Sequence, residues 1–152
     1  MKITIAVSGI VMAFIIGFVG SAADSAKLVK FEIKDGMSIE KSLTGKPGDE
    51  KNGRALSINR KKGNCLACHQ MPIPEQPFHG NIGPELVDVG ANYSAGELRL
   101  RLVNSKVINE DTIMPAFYRN DGYNRVLKKF KGKTILSAQE VEDIIAYLLT
   151  LK

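Results

Sequence analysis

Five consecutive residues, Cys65-Leu66-Ala67-Cys68-His69, carry the most specific chemistry in the chain. C-x-x-C-H is the attachment pattern of a c-type haem. The two thiols add across the porphyrin vinyl groups as thioethers, and the two-residue gap lets both reach. The histidine follows at once, which brings its imidazole under the iron as an axial ligand. Other readings of the same residues fit less well. A zinc site needs four ligands, usually from two separated pairs; here Cys65, Cys68, His69 and His79 are all the cysteines and histidines, and two of them are adjacent. A thioredoxin-like redox pair would follow a strand in a βαβ unit, and no such pattern surrounds Cys65. A plain disulfide leaves His69 unexplained.

An iron held by His69 needs a partner on its other face, or an open site. Met71 follows His69 too closely to wrap around the ring. Met37 precedes the motif and is conceivable. Met114, in Thr112-Ile113-Met114-Pro115, lies far enough downstream, and Pro115 stiffens the loop after it. Met114 is therefore the expected sixth ligand. His79 is reached by a short proline-rich loop and is expected at the proximal edge. A thioether ligand favours Fe(II) and raises the potential. With both axial positions filled, the expected chemistry is one-electron transfer. No third cysteine exists to act as a nucleophile or carry a persulfide.

The elements that must position these residues are helices and loops. Asp49 can cap a helix running to about Lys61, just before the motif. Residues 71–84 hold Pro72, Pro74, Pro77 and Pro84 with Gly80 and Gly83, so a loop is expected over the haem edge. Ser94 and Glu97 form a capping box opening a helix from Ala95 to about Asn104, although Leu98, Leu100 and Leu102 alternate as in a strand. Ser137 and Glu140 form a second box, followed by Val141, Ile144, Ile145, Leu148 and Leu149 at helical spacing. Residues 27–34, with Val29, Phe31 and Ile33 alternating with polar residues, suggest a short strand or extended arm. Residues 42–48 suggest a loop.

The ends and the charge bound the setting. Lys2, an apolar run over 3–20 and the small residues Ser21, Ala22 and Ala23 have the layout of a secretory signal, with cleavage expected after Ala23. The alternative is an uncleaved anchor. Either places the rest of the chain outside the inner membrane, in the periplasm, where haem c is attached. The remaining residues suffice for one domain. The formal charge of +5 over 152 residues falls to +4 without the signal. Two basic clusters stand out, Arg60-Lys61-Lys62 and residues 125–133. Each is either a solvated face or a docking surface for an acidic partner.

In order, these pieces resemble class I cytochromes c: helix, C-x-x-C-H, G-P-x-L, capped helix, M-P, capped terminal helix. Within them the chain is similar to the SoxX family, through SLTGKPGDEKNGR (42–54), GNCLACHQ (63–70), NIGPEL (81–86), TIMPAFYR (112–119), DGYNR (121–125) and residues 132–152. The resemblance implies an all-α, class I cytochrome c fold with crossing terminal helices and a loop-wrapped haem. It implies a division into a signal (1–23), an N-terminal extension (24–47) and a cytochrome c domain (48–152). It implies one covalently bound haem c, held by Cys65 and Cys68 with His69 and Met114 as axial ligands. Pro84 would orient His69 through its carbonyl. Gly53 and Ala55 would admit close approach of the last helix near Tyr147, and Tyr118 and Arg119 would either lie near the haem rim or a propionate or simply sit at the surface. SoxX is the electron-accepting subunit of the SoxAX complex, which joins thiosulfate oxidatively to a cysteine of the carrier SoxYZ (L-cysteine S-thiosulfotransferase). The implied partners are SoxA, the larger cytochrome subunit; SoxYZ, through the complex; and a small acceptor cytochrome. SoxX is not catalytic by itself. The rival reading is a free periplasmic mono-haem electron shuttle.

Overall fold

The computed structural model describes residues 28–152. The expected signal lies outside the described residues. Four α-helices order the described residues: α1 (Glu50–Ile58), α2 (Val89–Asn92), α3 (Ala95–Asn104) and α4 (Ala138–Leu148). Short 3₁₀ turns occupy Cys65–Ala67, Ser105–Val107 and Lys128–Phe130. Among the described residues there is no β-strand, only an isolated antiparallel bridge between Lys34 and Ser38. No described helix is long and apolar enough to cross a membrane.

The caps form as the sequence suggests. The Asp49 side chain accepts from the Lys51 and Asn52 N–H groups, satisfying donors that α1 cannot pair internally. Both Ser-x-x-Glu boxes close reciprocally, at Ser94–Glu97 and Ser137–Glu140. Helix α1 stops at Ile58, about a turn short of the expected Lys61. Asn59 is extended there (ψ 113°), and Asn64 takes a left-handed conformation (φ 49°) to turn the chain into the haem motif.

Helices α1 and α4 form the most extensive helix pair. A glycine makes the approach possible. A Cβ on Gly53 would lie 1.9 Å from the Asp143 carbonyl oxygen, so any side chain would force the helices apart. The contact falls at Asp143 and Ile144, one turn before Tyr147, and Ala55 is exposed rather than part of the seam. Asp143 completes the joint. It accepts from the Asp49 N–H (2.9 Å) and the Asn52 amide (2.7 Å). Burial works against its charge, but the bonds from Asp49, Gln139 and Asn52 prevail and hold its carboxyl below the ordinary range.

The core gathers Leu56, Leu66, Leu100, Val103, Val141, Ile144 and Leu148 with Ile39 and Leu43 from the N-terminal segment. That segment is pinned by a buried ion pair. Arg99 of α3 donates twice to Glu142 of α4 (2.8 and 2.9 Å) and once to the Ile39 carbonyl (2.6 Å). Glu142 also accepts from the Leu43 N–H (2.8 Å). Further out, residues 28–37 form an arm whose Val29, Phe31 and Ile33 are each more than a third exposed. The Val29 N–H donates to the Tyr118 hydroxyl at 3.0 Å.

Candidate haem site

The C-x-x-C-H motif folds as a tight turn at the end of the α1 loop. The Cys68 and His69 N–H groups both donate to the Cys65 carbonyl (3.1 and 2.9 Å). This brings Cys65, Cys68 and His69 to the wall of one cavity of about 620 Å³, within the range of cofactor sites, roughly 300–1,000 Å³. Both thiols are free. Burial pushes the Cys65 thiol up, offset in part by the Ser57 hydroxyl.

Residues 71–84 form a loop, as their prolines require, and it is laced to the motif through the backbone. Gly80 N–H donates to Leu66 (2.7 Å), Gly83 N–H to Cys68 (2.8 Å) and Leu86 N–H to Gln70 (2.9 Å). An Arg54–Glu75 ion pair ties the loop back to α1. The lacing delivers Pro84 to His69, with its carbonyl oxygen 2.7 Å from Nδ1. A carbonyl can only accept, so Nδ1 carries the proton and Nε2 keeps its lone pair for a metal.

The opposite wall comes from elsewhere in the chain. Leu98 and Leu102 of α3, Phe117 and Leu148 supply an apolar surface. Met114 lines the same cavity and packs against the core cluster. Its backbone is held on both sides: the Ser105 hydroxyl donates to its carbonyl (3.3 Å), and its N–H donates to Thr112 Oγ1 (3.2 Å). No other described methionine lines this cavity. Met71 is buried in the core, and Met37 is about half exposed. His79 is half-buried, with Nδ1 accepting from the Met71 N–H at 3.3 Å, and does not line the cavity. A family model described as "Cytochrome c" matches residues 50–152. The chain belongs to the cytochrome c family.

Covalently bound haem c is thereby implied. A chain in the crystal structure of SoxXA from P. pantotrophus is 39% identical with a TM-score of 0.73, covering 79% of this chain and 93% of that one. The SoxX resemblance and the class I cytochrome c fold are borne out by this pair of findings. A comparison with curated proteins finds no match.

The residues of this cytochrome c fit a haem: two thiols, an imidazole with a free Nε2, a thioether and apolar walls share one cavity. Two features escaped the sequence. Gly83 is a cradle for the imidazole, because a Cβ there would lie 2.4–2.9 Å from three His69 ring atoms. Arg101 of α3 lines the cavity and stacks on Tyr93, 4.1 Å from the ring centroid. Its spacing of three from Leu98 was the available signal. Neither Tyr118 nor Arg119 lines the haem cavity. Tyr118 is buried and bonded to the arm, and Arg119 lines a neighbouring cleft.

Gly83→Ala should therefore move the imidazole without removing it. We expect a destabilisation of about 1–3 kcal/mol, the ordinary cost of overpacking, and shifted His69 ring resonances in the reduced protein. Unmoved ring resonances would refute the cradle.

Proposed function

We propose that Cys65 and Cys68 hold one haem c through thioethers, with His69 Nε2 and Met114 sulfur as its axial ligands. Bound haem supplies a one-electron Fe(III)/Fe(II) couple. The chain's own residues do the rest. Pro84 holds the Nδ1 proton and fixes the imidazole plane. Leu98, Leu102 and Phe117 keep water from the iron's surroundings, which tunes the potential. Met114 closes the site to substrates. The observation that carries this reading is the His69–Pro84 bond in a cavity that Met114 also lines.

The function supported best is that of an electron-transfer subunit in a SoxAX-type complex, exported to the periplasm by residues 1–23. The division is into an extension, 24–47, and a cytochrome domain, 48–152, and the described part of that extension, 28–47, reaches the domain's core. Residues 39 and 43 enter the core, which favours one folded unit. The partner is a larger haem-bearing SoxA-type subunit. Joining thiosulfate to a carrier cysteine forms one sulfur–sulfur bond from a thiolate and a thiosulfate anion and releases two electrons. A one-electron centre must therefore accept and pass on an electron twice per bond, to a small acceptor cytochrome. SoxYZ is the carrier this reading requires.

Co-expression with a SoxA-type partner tests it. The complex should survive purification, and thiosulfate with the carrier should reduce the haem only when the partner is present. A chain that never co-purifies, and whose removal leaves turnover unchanged, would instead be the free shuttle.

A further inference from the structure

The N-terminal arm ends in a turn that prepares it for strand pairing. Asp35 and Gly36 both have positive φ (52° and 69°), as a type I′ hairpin turn requires. The Lys34 N–H donates to the Ser38 carbonyl (2.8 Å), and the Met37 N–H to the Lys34 carbonyl (2.9 Å). A hairpin begins there and stops at the Lys34–Ser38 bridge. The returning chain leaves the arm, because the Ile39 N–H donates to the Gly96 carbonyl (3.0 Å) and the Ile39 side chain is fully buried.

Residues 30–33 are left without that partner, and none of their N–H groups is hydrogen-bonded within the described chain. In an extended chain, successive N–H groups point to opposite edges and successive side chains to opposite faces. Val29 and Lys34, of opposite parity, do point apart: one donates to the Tyr118 hydroxyl (3.0 Å), the other to Ser38. Lys30 and Glu32 share the parity of Lys34, so they face the abandoned edge. Tyr118 holds the other edge to the body. Val29, Phe31 and Ile33 fall on one face, Lys30, Glu32 and Lys34 on the other, and all six are exposed. Among the described residues no ion pair engages Lys30 or Glu32.

We propose that this open edge pairs with the same edge of a second copy of the chain. The arm is self-complementary about Phe31. In antiparallel register Lys30 stands opposite the copy's Glu32, Glu32 opposite its Lys30, Val29 opposite Ile33, and Phe31 opposite Phe31. Cation–carboxylate pairs form on one face and apolar pairs on the other. The parity agrees, since Lys30 and Glu32 then exchange backbone bonds with their opposites while Phe31 occupies a position without them. The charges select this register. A shift of two residues sets Lys30 opposite Lys34 or opposite Lys30, and a shift of one sets charged side chains against apolar ones. The contact is isologous. It closes at two copies, because the remaining edge of each arm is held by its own Tyr118. The pairing uses no residue of the haem cavity.

The test uses the holo-protein, identified by its haem c spectrum. So short a ladder makes a weak dimer, so sedimentation equilibrium is followed up to about 1 mM, where dimer is expected. Lys30→Glu and Glu32→Lys, each of which sets like charges opposite, should weaken it at least about tenfold. Mixed in equal amounts, the two variants should pair again, because the carboxylates of one arm then meet the lysines of the other. Phe31→Cys brings two thiols together at a Cα spacing of about 4.5 Å, within disulfide reach, and should cross-link on oxidation. Val29→Cys faces Ile33 of the copy and should cross-link at least about tenfold more slowly. A protein still monomeric at about 1 mM would overturn the proposal. So would variants that stay apart on mixing, or equal cross-linking at 29 and 31. An arm that gains hydrogen-exchange protection only when a larger haem-bearing subunit is added would also overturn it, and would assign the edge to that partner.

Discussion

Arg99→Met should destabilise the folded protein by about 3–5 kcal/mol, the usual cost of removing one partner from a buried ion pair. Both side chains are about 5% exposed, so water cannot replace the lost guanidinium. Glu142 would keep only the Leu43 N–H. The Ile39 carbonyl would lose its donor at the same time, so the N-terminal segment should loosen together with the α3–α4 contact. Urea unfolding followed by circular dichroism measures the loss, and hydrogen exchange at residues 39–43 locates it. The double variant Arg99→Met, Glu142→Leu separates charge from shape. An apolar pair of similar volume should recover part of the stability, but not all of it, because the Leu43 N–H then has no acceptor. A single-variant loss below about 1 kcal/mol would show that the pair is not the clamp its geometry describes.

The ease of reading each part of this chain followed from how local its physics is. The haem motif was legible because attachment needs the two thiols and the imidazole within five consecutive residues. The helix starts at 95 and 138 were legible because a capping box is complete within four. Pro84 was legible only through the resemblance, yet the structure puts its carbonyl within bonding distance of His69. What stayed hidden depends on partners distant in sequence. Arg99 in a leucine-rich helix offers no sign that Glu142 will meet it. The alternation at 98, 100 and 102 that hinted at a strand has a helical explanation: α3 buries Leu98, Arg99, Leu100, Leu102 and Val103, and so is covered on more than one face. Gly53 and Gly83 show their purpose only once Asp143 and His69 lie against them. Helix α2 is four residues long with no side-chain cap, leaving neither periodicity nor a start signal. The basic clusters were visible separately, but that Lys61 and Lys62 share one cleft with Arg125, Lys129, Lys131 and Lys133 is a property of the fold.

Met114→His should lower the reduction potential by more than about 100 mV, part of the roughly 0.8 V range that axial ligands span. The thioether favours Fe(II), whereas a second imidazole is a stronger donor and favours Fe(III). The loop should remain in place in the variant, because the hydrogen bonds holding residue 114 are made by its backbone. The Ser105 hydroxyl donates to its carbonyl, and its N–H donates to Thr112; neither bond uses the methionine side chain. The ligand thus changes while its position is kept, and a fall in potential reports ligation rather than local unfolding. Spectroelectrochemistry gives the potential, and loss of the sulfur–iron absorption signature gives the ligand identity. Two controls address the rivals. Met37→His alters an exposed residue outside the cavity, and Met71→Leu keeps its volume in the core. Neither should move the potential. An unchanged potential and signature in Met114→His would remove Met114 from the iron. With it would go the reason for reading this cytochrome as closed to substrates and committed to electron transfer.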